Sequence, residues 1–224
     1  MADFKLDHFK AYDLRETYQE TVEIQDQFNE DWRPISLEER ARFLTPVKKN
    51  LIDIQDPTAH LTWYRIKDVS IKEIQITYLN QMTDDKPEKL NIDKLIGLLV
   101  PTRKHLLHGD FPDKLDHYTI YRAYPHVDVK KDIVLRDQFK MTAFSKATLS
   151  GFCAPCLKRR EIDKDKKFDY HNPKDYLVIY SIPIDKLEKK IDTNNQFGED
   201  QFIILRQVFL LVPTKKIEWA YLTE

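Results

Sequence analysis

The stretch Phe43-Leu44-Thr45-Pro46-Val47-Lys48-Lys49 returns three more times in altered spelling. Leu98-Leu99-Val100-Pro101-Thr102-Arg103-Lys104, Phe152-Cys153-Ala154-Pro155-Cys156-Leu157-Lys158 and Leu210-Leu211-Val212-Pro213-Thr214-Lys215-Lys216 carry the same signature. A bulky apolar residue stands three before the proline, Leu or Cys two before it, and Lys three after it. The chain therefore reads as four copies of one unit, and internal repetition governs every later inference about its fold.

Two further anchors lie upstream of each proline. His8-Phe9-Lys10-Ala11-Tyr12, His60-Leu61-Thr62-Trp63-Tyr64, His117-Tyr118-Thr119-Ile120-Tyr121 and Tyr176-Leu177-Val178-Ile179-Tyr180 align on their last tyrosine. Between tyrosine and proline fall Asp26-Gln27-Phe28, Asn80-Gln81-Met82, Asp137-Gln138-Phe139 and Asn195-Gln196-Phe197. The steps from tyrosine to glutamine are 15, 17, 17 and 16 residues, and from tyrosine to proline 34, 37, 34 and 33. The repeat-defining residues are thus Tyr12, Tyr64, Tyr121 and Tyr180; Gln27, Gln81, Gln138 and Gln196; Pro46, Pro101, Pro155 and Pro213; Lys49, Lys104, Lys158 and Lys216.

The copies also pair. The first and third share Leu-Asp-His, at Leu6 to His8 and Leu115 to His117, while the second and fourth share Leu-Val-Pro-Thr and a proline, Pro57 or Pro173, seven residues before the tyrosine. A two-copy unit was itself doubled, which sets a first half at 1–108 (copies 1–54 and 55–108) and a second at 109–224 (copies 109–166 and 167–224). Gly109, Asp110, Phe111 and Pro112 supply linker chemistry between them, within His105 to Lys114.

The tyrosine segments are short, aromatic and β-branched, and read as strands. Val22-Glu23-Ile24-Gln25 and Ile74-Gln75-Ile76-Thr77 alternate with period two, and Ile133-Val134-Leu135 suits a more buried strand in the same slot. Asp or Asn before Gln suits a turn, because those side chains bond nearby backbone. Ser36-Leu37-Glu38-Glu39 could open a helix with a capping box, but Met141 to Leu149 and Gln201 to Leu211 in the same slot look like strands, so strand is expected throughout. Proline is expected to end that strand for want of a ladder donor. The expected fold is all-β: three or four strands per copy, packed as two sandwich- or barrel-like halves about a pseudo-twofold axis.

Composition narrows function by exclusion. With 36 basic against 37 acidic residues there is no general polyanion face, and nucleic acid is not an expected partner. Lys158 to Lys167 holds six positive and three negative charges and reads as a solvated loop. No apolar run is long enough to span a bilayer. The N-terminus lacks the form of a signal peptide, and two cysteines three apart make no disulfide framework. A cytoplasmic setting is expected, although a secreted chain with its leader trimmed would read the same. Four isolated glycines can build neither a P-loop nor a dinucleotide fingerprint.

The pattern aromatic-x-x-Tyr, then Asp-Gln-Phe, then Leu-Cys-x-Pro-x-x-Lys resembles a repeat domain of uncharacterised bacterial proteins, many of them exported. Phe152-Cys153-Ala154-Pro155 with Lys158, and Leu135-Arg136-Asp137-Gln138-Phe139, are most similar to it. In that family the first strand often reads Cys-Tyr, whereas here Ala11, Trp63, Ile120 and Ile179 precede the tyrosines. Any bridge between the strand Cys and the turn Cys that the resemblance implies is therefore missing here. The family carries no catalytic function with it.

Candidate chemistry is sparse. Cys153-Ala154-Pro155-Cys156 has the spacing of a thioredoxin-like redox centre. The repeat offers a better account: Cys153 fills the slot of Leu44, Leu99 and Leu211, and Cys156 that of Val47, Thr102 and Thr214. Metal could be held by the cysteines with His171, or by His105 and His108 with Asp110 and His117, but the first set is short of four ligands and the second lies in the linker. No metal or cofactor is expected. No nucleophile elbow supports hydrolysis, and no carboxylate pair can be singled out for glycoside chemistry.

The recurring Gln and Lys are expected to tie backbone across each copy and to cap the turn rather than to form four ligand sites. The expected function is a non-enzymatic structural or protein-interaction scaffold, a subunit of a larger assembly, whose partner is another protein or further copies of itself. Trp32, Tyr170, Trp219 and Tyr221 are candidates for an interface and equally for the core. The alternatives are a carbohydrate or small-molecule binding module with aromatic faces between the halves, and a thiol oxidoreductase using Cys153 and Cys156.

Overall fold

The computed structural model describes residues 5–84, 86–104, 112 and 115–222. Copy one is a hairpin of β1 (His8–Asp26) and β2 (Asn29–Lys49), and copy two one of β3 (His60–Asn80) and β4 (Glu88–Lys104). Copy three has β5 (His117–Tyr124), β6 (Asp128–Arg136) and β7 (Met141–Arg159), and copy four β8 (Tyr176–Asn195) and β9 (Gly198–Tyr221). One 3-10 turn, Glu161–Asp163, is the sole helical element among the described residues. The fold is all-β, and Ser36 to Glu39 lie in strand β2.

The expected three or four strands per copy are met only in copy three. Elsewhere the tyrosine segment and the alternating segment after it are one strand, bent where extra residues bulge out of the ladder. In copy one the register slips between Asp13 and Glu16 and between Thr17 and Glu20; in copy two between Arg65 and Val69 and between Ser70 and Ile74. Copy four bends alike between Ser181 and Asp185. Copy three makes the corner by breaking the strand, and Pro125 falls in the break.

The halves before these corners close on themselves. Ladders run β1–β2, β2–β3, β3–β4, β4–β5, β5–β7, β7–β8, β8–β9 and back through β9–β1, all antiparallel. The result is an eight-stranded barrel in which every copy pairs with the next, a fourfold arrangement that contains the twofold expected from doubling. Its interior is filled from three slots per copy: Phe9, Leu61, Tyr118 and Leu177; Ala11, Trp63, Ile120 and Ile179; Leu44, Leu99, Cys153 and Leu211. Each fully buried side chain of this size contributes about 1.5–3 kcal/mol.

Proline does not end its strand. β2, β4, β7 and β9 run on to Lys49, Lys104, Arg159 and Tyr221. Each strand is paired with its own copy along one edge, and on the other edge it changes partner at the proline. The outer ladder with the next copy finishes at Leu44, Leu99, Cys153 or Leu211. A new one with the opposite copy begins at Lys48, Arg103, Cys156 or Thr214. The residue without a donor thus stands at the break between two outer ladders, where a missing bond is tolerated.

The halves beyond the corners form arms that fold over the outside of the barrel and carry the Asp/Asn-Gln turns to the opposite copy. Most of the linker, from His105 to Phe111, lies outside the described residues, as do its histidines at 105 and 108 and Asp110. The doubling has a visible cause elsewhere. Asp7 accepts hydrogen bonds from the backbone N–H of Gln55 and Asp56, both at 2.8 Å, just before Pro57. Asp116 does the same for His171 and Asn172, at 2.8 and 2.7 Å, just before Pro173. Leu-Asp-His thus docks the linker that enters the second copy of each half.

Gly97 of β4 faces the barrel interior, where an added Cβ would lie 2.6 Å from Trp63 Nε1 and 2.8 Å from the Tyr64 carbonyl oxygen. Gly97→Ala is expected to destabilise the fold by about 1–3 kcal/mol, read as a lower urea midpoint with an unchanged slope.

Candidate functional site

The repeat-defining side chains meet at four equivalent seams, and each seam joins three copies. The tyrosine lies on the outer face of the barrel and reaches the turn of the opposite arm. Tyr12 donates to Asp137 Oδ2 at 2.7 Å and Tyr121 to Asp26 Oδ2 at 2.5 Å. Asn195 donates to the Tyr64 hydroxyl at 3.0 Å and Asn80 to that of Tyr180 at 3.3 Å. Oδ1 of the same Asp or Asn closes its own turn, accepting from the backbone N–H of Phe28, Met82, Phe139 or Phe197 at 2.8–2.9 Å. The turn phenylalanine then packs on the same tyrosine, with Tyr12–Phe139, Tyr64–Phe197 and Tyr121–Phe28 centroids 5.3, 5.0 and 5.4 Å apart.

The glutamine points the other way, to the preceding copy. Gln81 accepts from Lys49 Nζ at 2.9 Å, Gln138 from Lys104, and Gln27 from Lys216. Gln138 Nε2 also meets Thr45 Oγ1 at 2.8 Å and His60 Nε2 at 3.0 Å; Gln196 bonds His117, and Gln27 accepts from the Tyr176 hydroxyl at 3.1 Å. Lys158 sits over the Phe197 ring at 4.4 Å, Lys104 over Phe139 at 4.9 Å and Lys216 over Tyr176 at 5.0 Å. The glutamines were expected to tie backbone within their own copies. They bond side chains across copies instead, because the arm carries each turn away from its own barrel strands.

These contacts remove charge from water. Burial lowers the amines of Lys49, Lys158 and Lys216 to about 8. Burial, reinforced by Lys49 and Lys158, lowers His8 and His117 to about 3, so both rings are neutral at physiological pH. Desolvation pushes Asp26 up, although Thr119, Tyr121 and the N–H groups of Phe28 and Asn29 all donate to it. Asp137 has a cation, Lys10, at 3.1 Å, and both side chains are fully buried.

Cys153 and Cys156 are free thiols in the middle of β7, and burial raises both well above the usual range. Their odd spacing on a strand sends them to opposite faces. Cys153 joins the barrel interior and Cys156 the layer under the arms. Neither lies at a helix start, the setting that lowers the thiol of a redox pair. Among the described residues no three His, Cys, Asp or Glu side chains converge as a ligand set, and no helix is long and apolar enough to cross a membrane. Trp219 packs edge-on against Phe28 at 5.4 Å, Trp32 lies under the Arg159 guanidinium at 4.1 Å, and Tyr170 donates to the Gln25 carbonyl at 3.3 Å. These aromatics serve seams within the chain.

One feature has no counterpart in the repeat pattern. At the end of the barrel beyond the tyrosines, the position four before each proline is Arg42, Gly97, Gly151 or Phe209. The Arg42 guanidinium lies 4.4 Å from the Trp63 ring and 4.8 Å from that of Phe209, which stack at 5.7 Å and 28°. Asp13 accepts from Arg206 at 2.9 Å and faces Arg42 at 3.3 Å, while Arg65 pairs with Glu39. No sequence motif marks these residues. The available signal was the disagreement of four aligned copies at a single slot.

An all-β protein of four hairpins closed in one ring, held by side chains that recur once per copy, defines a repeat architecture. Residues 60–213 match the family model described as a repeat of unknown function (DUF7450), and the chain belongs to that family. The match opens on the first residue of β3 and closes on the proline of β9, so it spans copies two to four. Nothing among the curated proteins or the solved structures matches the chain.

Gln138→Ala removes the acceptor of Lys104 and the donor to Thr45 and His60. A loss of about 1–3 kcal/mol is expected by chemical denaturation, without loss of the fold. A second expectation concerns pH. The folded-state values of Lys49, Lys158 and Lys216, about 8, lie below the unfolded 10.5. Between those values the unfolded chain holds protons that the folded chain has released, so these groups make stability rise with pH across that window. Tyr12, Tyr64, Tyr121 and Tyr180 are raised from 10.0 and oppose the rise above it. The urea midpoint should therefore climb from pH 8 towards 10, and the climb should be shallower in Lys158→Met.

Proposed function

We propose that the chain is a non-enzymatic structural scaffold that joins a larger assembly through the outer face of its fourth arm. The observation that supports this reading is the distribution of exposed apolar residues. The side chains that recur in every copy are engaged with neighbouring copies. The outer face of the fourth arm breaks the pattern: Ile203 and Leu205 alternate with the buried Phe202 and Ile204, and are 46% and 43% exposed. Counting back from each proline, the same positions hold Ser36 and Glu38 in copy one, and Asn91 and Asp93 in copy two. Ile184 of the same arm is also exposed. Apolar residues gathered on the solvent face of this arm suit a partner that meets that copy.

Light scattering coupled to size-exclusion chromatography tests this. Association that grows with protein concentration is expected, and Ile203→Lys/Leu205→Lys should abolish it without lowering the melting temperature. A strictly monomeric wild-type chain at high concentration would count against self-assembly through this face.

A further inference from the structure

The end of the barrel beyond the tyrosines is built unlike the rest of the interior. Three slots in every copy fill the barrel with apolar side chains, and at the opposite end Leu6, Ala59 and Leu115 extend the same packing. At the arginine-bearing end two of the four equivalent positions are glycine. Glycine in a strand weakens it and marks a place where something must approach closely. Here the two glycines admit Trp63 and Ile179, whose atoms would lie 2.6 and 2.8 Å from an added Cβ at Gly97 and Gly151. Beside them a hollow of about 250 Å³ opens, walled by Ile96, Ile179, Trp63 and Phe209 and rimmed by Arg42, Arg65, Asp68 and Ser150. A polar recess lined by Asp13, Glu39 and Arg206 adjoins it and shares both of those arginines. Trp63 Nε1, the donor at the edge of this wall, is buried without a hydrogen-bond partner.

The hollow itself is lined by two cations, Arg42 and Arg65, and one carboxylate, Asp68, and the adjoining recess adds Asp13, Glu39 and Arg206. Arg42 and Arg206 meet Asp13, Arg65 meets Glu39, and Lys94 lies 3.7 Å from Asp68. Arg122 and Asp93 form a neutral pair nearby. The Arg42 guanidinium packs against the stacked pair of Trp63 and Phe209, and the planar fork of a guanidinium matches the two oxygens of a carboxylate. Arg65 is more than half exposed at the rim, where it engages Glu39. At about 250 Å³ the hollow falls below the usual range for ligand pockets, roughly 300–1,000 Å³, and suits only a small occupant.

We propose that this open end of the barrel binds a small organic monoanion, a carboxylate on an apolar body. The carboxylate meets Arg42 and Arg65, and the body lies against Ile96, Ile179 and Phe209. The site is separate from the assembly face of the fourth arm and does not depend on it.

Benzoate is the probe, and the Trp63 indole N–H resonance the reporter, distinguished from the indoles of Trp32 and Trp219 by Trp32→Phe and Trp219→Phe. Benzoate at millimolar concentration is expected to move that resonance saturably. Benzamide, which lacks the charge, and inorganic phosphate, which lacks the body, should each bind at least about tenfold more weakly. Arg65→Gln, a change at an exposed side chain, should weaken benzoate roughly tenfold at an unchanged melting temperature, and Arg42→Met should do the same while keeping an apolar stem against the rings. The proposal is overturned if neither benzoate nor hexanoate shifts the resonance saturably. Equal affinity for benzamide or for phosphate, or benzoate binding unaltered in Arg65→Gln, would overturn it too.

Discussion

A tyrosine hydroxyl meeting an Asp or Asn side chain of the opposite copy is the contact on which this architecture turns. The barrel closes through backbone ladders, but its outer surface would be left apolar unless the arms fold over it. The arms are fixed by their tips, where one short side chain closes a turn with one oxygen and engages the tyrosine with its other polar atom. A buried polar group without partners costs several kcal/mol, so the tip has one low-energy seat and the arm a single direction. Each clasp also spans about half the ring, and in this way local turn chemistry becomes long-range order.

The four clasps meet the cost of burial differently, which explains why alternate copies share spellings. Asn80 and Asn195 are neutral and need only hydroxyl partners, which Thr214 at 3.0 Å and Thr102 at 3.5 Å provide. Those threonines follow the proline in copies four and two, hence the shared Leu-Val-Pro-Thr. Asp137 takes Lys10 from the tyrosine segment of copy one as its partner. Asp26 is given Thr119 in the corresponding slot, a hydroxyl at 2.5 Å, and its carboxyl is raised by burial in consequence. A buried ion pair is a poor source of stability and breaking one is expensive, so the pairing of Asp with Lys or with Thr fixes which arm may seat on which tyrosine.

Much of this was legible in sequence because the interactions recur. Tyr12, Asp137 and Gln138 stand at constant spacing, since every copy needs a clasp, a turn and a seam. The partner of each was not legible, because spacing along one copy says nothing about which neighbour a bent strand reaches. The corners hid for a related reason: the extra residues between Asp13 and Glu16 or between Arg65 and Val69 include neither Gly nor Pro, so one bent strand read as two straight ones. Pro46 and its equivalents misled in the opposite sense, because a strand can pass through proline where its outer ladder is changing hands.

The same logic directs attention to where the copies disagree. A position that must serve the fold is filled alike four times over, as Leu44, Leu99, Cys153 and Leu211 show by lining a common interior with residues of similar character. Two residues earlier the constraint lapses, and Arg42, Gly97, Gly151 and Phe209 stand in one ring of positions. Four copies of a folding determinant could not differ that widely, because each would have to satisfy the same neighbours. Here they satisfy one another instead: the glycines make room for Trp63 and Ile179, and Trp63 with Phe209 holds the arginine in place. An arrangement that works only as a heterogeneous set belongs to the whole ring and not to the repeat. It therefore distinguishes this end of the barrel as a feature of the assembled ring.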